Sequence, residues 1–132
     1  MARVNTQAVI HVAAFRAALR SFLRESELTA RSSGLTPQRY LLLLMIKGAP
    51  DGNERATVTE LAERLGLAQS TVTELVSRAE EAGLLERSPS DADGRVAYLH
   101  LTTEGEERLE AAFTRLDVER ARLRDAFAEL EE

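Results

Sequence analysis

The sequence predicts a mainly α-helical fold that carries one small β-hairpin, and three observations lead there. Both ends of the 132-residue chain have long stretches in which apolar residues recur every three or four positions. Residues 57–83 read as two short helices, each closed by a glycine, Gly66 and Gly83. Residues 84–101 read as two strands around a polar loop that contains Asp93-Gly94, a hairpin signal. In that order these pieces make a winged helix-turn-helix over residues 36–102. The flanking stretches, 4–31 and 103–131, read as dimerisation helices of the same single domain.

Residues 4–31 form one amphipathic helix, with Val4, Ala8, Val12, Phe15, Leu19 and Phe22 along its seam. The seam faces another helix, either of the same chain or of a second copy. Ser32-Ser33-Gly34 breaks the helix. Thr36 is the next N-cap, with Pro37 at the first helical position, where its missing N–H costs nothing. Residues 40–46 are apolar nearly all round, so this second helix is central and buried. Residues 48–55, with Pro50 and Asp51-Gly52, form a surface loop.

Thr57-Val58-Thr59-Glu60 is a capping box, followed by an apolar face of Leu61, Ala62, Leu65 and Leu67. The next helix buries Val72, Leu75, Val76 and Ala79. Its opposite face, with Gln69, Ser70, Thr73, Glu74 and Ser77, is short, polar and mostly uncharged. Ala68 falls at its N-cap, where alanine costs about 1 kcal/mol relative to serine or aspartate. Residues 84–87 and 96–101 are the strands. Thr102 or Thr103 then caps one long final helix, on which Leu109, Phe113, Leu116, Leu123, Phe127 and Leu130 alternate in steps of four and three. Arg120 stands where one further apolar residue would fall.

Composition excludes several function classes. The chain has no cysteine, which rules out disulfides, thiol redox sensing and thiolate metal sites. No apolar run approaches the roughly 18 residues of a membrane span, and no continuous apolar stretch marks a signal peptide, so a cytoplasmic protein is expected. There is no glycine-rich phosphate loop, nucleophile elbow or ligand cluster, so neither an enzyme nor a cofactor or metal site is expected. The net charge of −5 does not by itself suggest nucleic acid. It is unevenly spread: residues 1–40 hold six arginines against two glutamates, whereas residues 60–102 hold four arginines against eight acids. Sixteen arginines against one lysine favour cations able to bind in two-pronged fashion, although codon bias produces the same count.

Pattern, not charge, points to double-stranded DNA. A short-chained polar helix face can approach base edges closely and still hydrogen-bond, which makes Gln69, Ser70, Thr71, Thr73, Ser77 and Arg78 the candidate groove contacts. The spacing of Arg78 also suits a structural salt bridge to Glu74 or to a wing aspartate. Glu74 itself either accepts from a cytosine amine or is simply solvated. If neither Ser70 nor Thr71 caps the helix, a DNA phosphate can take the free amides behind Ala68. Arg95, at the hairpin loop, suits a narrow minor groove. Asp93 is placed to orient it, and Asp91 or Asp93 to pair with Arg87; the alternative is an ordinary polar turn. The two terminal seams are most economically covered in a homodimer, which would set two recognition helices about 34–36 Å apart on a pseudo-palindrome.

Over most of its length the chain resembles the MarR family of bacterial transcriptional regulators. The resemblance is carried by Leu35-Thr36-Pro37-Gln38-Arg39-Tyr40, by Leu61-Ala62-Glu63-Arg64-Leu65-Gly66-Leu67, and by Ser70-Thr71-Val72-Thr73. Glu80-Glu81-Ala82-Gly83-Leu84-Leu85-Glu86-Arg87, Asp93-Gly94-Arg95 and Leu101-Thr102-Thr103-Glu104-Gly105 continue it. The resemblance implies a homodimeric repressor built from both chain ends, with the wing arginine on DNA. Gly94 departs from relatives that carry a second basic residue there. It also implies an effector pocket for a small aromatic acid or phenol between the dimer helices and the DNA-binding unit. His11, Phe15, Arg16, Arg39, Tyr40 and Met45 are the candidate lining residues. The absence of tryptophan and cysteine sets aside the urate-type and oxidation-sensing branches. The competing expectation is a winged-helix module that binds protein and not DNA.

Overall fold

The computed structural model describes residues 3–89 and 95–130; Asp91 and Asp93 lie outside the described residues. Among the described residues the order is α1 (Thr6–Ser32), α2 (Pro37–Lys47), α3 (Val58–Leu65), α4 (Gln69–Glu81), β1 (Leu85–Pro89), β2 (Ala97–Leu101), α5 (Thr103–Thr114) and α6 (Asp117–Glu129). The start signals work as local chemistry requires. Asn5 Oδ1 accepts from Gln7 N at 2.8 Å, Thr36 Oγ1 from Arg39 N at 3.1 Å and Thr102 Oγ1 from Gly105 N at 3.0 Å. At α3 both halves of the capping box form: Glu60 N donates to Thr57 Oγ1 at 3.2 Å and Thr57 N to Glu60 Oε1 at 2.9 Å. Gly66, at φ +68, takes the left-handed conformation that ends α3.

α2 is the hub, as its apolar run predicts. Tyr40, Leu42, Leu43 and Ile46 are buried, and α2 touches α1, α3, α4, α5 and β2. Leu61 of α3, Val72, Val76 and Ala79 of α4, Leu84, Leu99 and Leu116 complete the core. Burial pushes the Tyr40 hydroxyl pKa upward, against the opposing pull of a Ser26 hydrogen bond and the Arg120 charge. The strands pair antiparallel in a register that sets Leu85 opposite Leu101 and Arg87 opposite Leu99. Gly105 is obligatory for a different reason from Gly66: a Cβ there would lie 2.3 Å from the Leu84 carbonyl oxygen, so only glycine lets α5 seat against the strand entry.

Two expectations need correction. The single final helix is two helices that meet at Arg115 and Leu116. Leu116 is fully buried and its N–H reaches back only three residues, to Phe113 O at 3.2 Å, so the α-helical ladder is interrupted. Arg120, the residue that broke the apolar spacing, donates to that same Phe113 carbonyl at 2.6 Å and lies over the Phe113 ring at 3.8 Å. Leu67 is exposed and not in the core, because it lies beyond the Gly66 stop. The loop after α2 is on the surface over residues 48–55, as expected, and Ala56 just beyond it is buried and forms a bridge with Leu99, through bonds of 3.1 and 2.8 Å.

The terminal helices pack on each other within one chain, and Phe15 meets Phe127 edge to face at 6.0 Å. That packing does not cover every apolar residue of the two helices. Val9, Ile10, Val12, Leu23, Val118 and Phe127 all stay at least half exposed.

Candidate nucleic-acid interface

α4 owes its position to its own apolar side. Val72, Val76 and Ala79 fall at helical spacing, are fully buried, and anchor the helix on α2 and α3. What remains outward is the predicted polar face: Gln69, Ser70, Thr71, Thr73, Ser77 and Arg78 are all exposed. The structure brings these six together on one helix. Arg78 Nη2 lies 2.6 Å from Glu74 Oε1, so the ion pair its spacing allowed is formed, between two side chains that are both about two-thirds exposed. Water screens such a pair to a few tenths of a kcal/mol, so it orients the guanidinium without locking it.

The N-terminus of α4 has no side-chain cap, a lack it shares with α6. Ala68 adopts φ −66°, ψ 148°, close to the geometry of the threonine caps, yet no side chain accepts from the first turn. Ser70 and Thr71 do not compensate. The first-turn amides therefore point outward at the positive end of the helix dipole, beside Gln69 and Ser70. No acidic residue sits in that turn to compete with an incoming anion.

The hairpin is tied to α4 by a contact that the sequence did not disclose. Arg87 Nε on β1 donates to Glu80 Oε1 on α4 at 2.8 Å. The pair spans the Gly83 turn, so no helix or hairpin spacing rule flags it. It sets the strand that leads into the wing against the end of the recognition helix. On the outer face of the hairpin, Arg55 stacks on the Tyr98 ring at 4.1 Å and His100 Nε2 sits 3.2 Å from Glu86 Oε2. Arg55 gains this position from the Ala56 bridge, a third strand-like pairing that a lone alanine does not announce. Arg95 is exposed and lies directly after the undescribed segment 90–94. Arg64 at the end of α3 donates to the Met45 and Gly48 carbonyls at 3.2 and 3.3 Å, which closes the C-terminus of α2.

The six candidate effector residues are not gathered in one cavity of a single chain. Phe15 lines a cleft with Arg120, Leu123 and Phe127, while Arg16 lines another with Leu19 and Leu23. Tyr40 faces a groove between α1 and α2, and Met45 one beside α3. His11 shares a 3.1 Å hydrogen bond with Gln7, and Arg39 stands half-buried in the first turn of α2. Among the described residues no helix is long and apolar enough to cross a membrane, and no group of three potential ligands surrounds a metal position.

Comparison with known proteins places this geometry among regulators. Residues 33–96 match the model of the MarR family. The transcriptional repressor YetL of Bacillus subtilis is 34% identical over 77 residues, which cover 58% of this chain and 45% of YetL. The chain spans about half the length of the curated relatives it matches. The crystal structure of the transcriptional regulator Tm0710 from Thermotoga maritima is similar over 88% of this chain and 87% of that one, at 30% identity and a TM-score of 0.64. A mutant MarR from E. coli complexed with operator DNA shares the fold at 22% identity and a TM-score of 0.64, over 87% of this chain and 75% of that one.

Proposed function

The chain belongs to the MarR family, and on that premise we propose that it is a transcriptional repressor that binds double-stranded DNA sequence-specifically, as a homodimer on a pseudo-palindromic operator. One observation carries the proposal. α4 offers a continuous exposed face of hydroxyl and amide side chains, and its first-turn amides have no side-chain cap. A helix buried on all sides would leave no such face. Short side chains admit the helix to a major groove, and the open amides suit a backbone phosphate. The E. coli relative with this fold is bound to operator DNA.

Arg95 enters the adjacent minor groove, with Arg87 and the undescribed Asp91 and Asp93 supporting the wing. The half-exposed apolar residues of α1 and α6 form the homodimer interface. Transcriptional control of this kind is exercised in the cytoplasm, on the chromosome. A small aromatic or phenolic effector lowers operator affinity by favouring a dimer whose recognition helices no longer match successive major grooves. Its site is built from the surfaces of Phe15, Arg16, Tyr40 and their neighbours once two chains assemble.

The test is selection of bound duplexes from a random pool, followed by titration of the recovered duplex across salt. A recovered palindrome whose affinity falls as salt rises, and is weakened by Arg95→Ala, is the expected result. No duplex affinity at low salt would overturn the proposal in favour of a protein-binding module.

A further inference from the structure

The DNA-binding body, α2 to β2 and α5, is connected along the chain to the packed pair α1 and α6 at the α1–α2 turn and the α5–α6 bend, and α1 also packs on α2 and α5. Both joints are bridged by arginines. At the first, Arg108 of α5 reaches across 74 residues and donates from Nη1 to Gly34 O at 2.9 Å, while its Nε is held by Glu104 at 2.7 Å. About two turns further on, at the C-cap of α5, Arg115 Nη1 donates to Ser32 Oγ at 2.6 Å. Gly34 has φ +78°, a conformation that favours glycine, and a Cβ there would stand 3.0 Å from Arg108 Nη1, so the guanidinium packs closely on the turn. At the second joint Arg120 grips the Phe113 carbonyl and ring and is itself paired with Asp117.

These contacts are poorly explained as surface decoration. A guanidinium held at once by a carboxylate on its own helix and a carbonyl on another element loses most of its rotational freedom, and its planar fork transmits orientation as well as attraction. The three arginines stand at the points about which the body would otherwise tilt relative to the arms. In a dimer joined through the arms, that tilt is what separates the two recognition helices.

We propose that Arg108, Arg115 and Arg120 are positioning residues that fix the angle between the DNA-binding body and the dimerisation arms, and thereby set the half-site spacing the dimer accepts. The inference rests on the DNA-binding proposal for its consequence but not for its geometry, so two measurements separate them. The chain has no cysteine, so Glu81→Cys on α4 and Arg20→Cys on α1 take spin labels at those two sites alone. The doubly labelled chain, diluted into unlabelled protein without DNA, gives the intramolecular body-to-arm distance distribution by pulsed electron paramagnetic resonance. Adding Arg108→Ala with Arg115→Ala broadens that distribution, and Arg108→Lys with native Arg115, which still offers a donor to Gly34 O, narrows it again. On the selected duplex re-spaced in single base-pair steps, the same double variant loses about tenfold of its preference for the best spacing over the next, the usual scale of coupling between separated elements. A mere loss of stability would weaken all spacings alike. Circular dichroism confirms that the variants compared are folded, and Arg120→Lys gives an independent test at the second joint. An unchanged distance distribution overturns the inference whatever the DNA result. A wild type that recovers no duplex overturns the DNA reading and the spacing consequence together.

Discussion

Replacing Ala68 by serine tests whether the open end of α4 is a binding feature or a defect. Ala68 has φ −66° and ψ 148°, while Thr36, which does cap its helix, has φ −75° and ψ 155°. A serine hydroxyl at residue 68 is therefore placed to accept from the first-turn amides at the 3.0–3.2 Å seen for the threonine caps. The gain to the free protein is about 1 kcal/mol, the usual difference between serine and alanine at an N-cap. For a chain of this length that raises the melting temperature by roughly 3–5 °C. If a DNA phosphate uses the same amides, it must displace the hydroxyl, and the stabilisation of the free state reappears as a loss of affinity. The loss is about fivefold for each recognition helix and roughly thirtyfold for a dimer that engages two. Urea unfolding and duplex titration of Ala68→Ser at one salt concentration measure both quantities. A variant that is more stable but binds as tightly as the wild type would show that phosphate does not use these amides.

Four other outcomes are expected. Arg95→Ala lowers duplex affinity and reduces the slope of log affinity against log salt by about one for each wing that loses its phosphate-proximal charge; an unchanged slope would place Arg95 away from DNA. Leu99→Ala removes a fully buried side chain from the junction of β2 with Ala56 and costs about 2–5 kcal/mol in urea unfolding; a cost under 1 kcal/mol would mean that the junction collapses to fill the space. Val12→Glu places a charge on the exposed seam of α1 and converts the dimer to monomer by light scattering; a dimer of undiminished affinity would move the interface elsewhere. Stability falls at alkaline pH: Lys47, held protonated by Glu106 and Glu54, and buried Tyr40 both have raised pKa values, so their contributions are complete below about pH 10 and are lost as pH rises through the folded values. Tyr40→Phe removes part of that loss, and an unaltered alkaline profile would refute the Tyr40 share.

Local signals carried most of the fold. Caps and stops act within four residues, and Thr36, Thr57, Gly66, Gly83 and Thr102 behave as their neighbours in sequence require. The polar face of α4 was legible for the same reason: four buried or half-buried residues at helical spacing dictate which side turns outward. What was not legible depends on distant partners. The α5–α6 bend follows from burial of Leu116 and from Arg120 reaching back to Phe113 O, and the only trace in the sequence was a broken apolar step at Arg120. The Glu80–Arg87 and Arg108–Gly34 contacts join residues whose separation follows no repeat. A charged side chain at such a site looks identical to one in water until the chain is folded.

An acidic chain is an unusual partner for DNA, and the disposition of its acids resolves the difficulty. Residues 60–102 hold eight acids against four arginines. Glu60 is turned back onto the Thr57 amide, Glu74 faces Arg78, Glu80 faces Arg87 and Glu86 faces His100. Four of these acids are thus engaged in capping or pairing, and on the outward face of α4 Glu74 stands beside the hydroxyls and the amide with its charge offset by Arg78. The surplus negative charge lies toward the C-terminal end of the sequence, where residues 103–132 carry ten acids against five arginines. Repulsion from that end acts over a Debye length of about 8 Å at physiological salt and fades beyond it. Binding must then come from close fit and hydrogen bonds more than from counterion release. The affinity should accordingly be modest at low salt, should fall less steeply with salt than that of a basic regulator, and should depend more sharply on sequence.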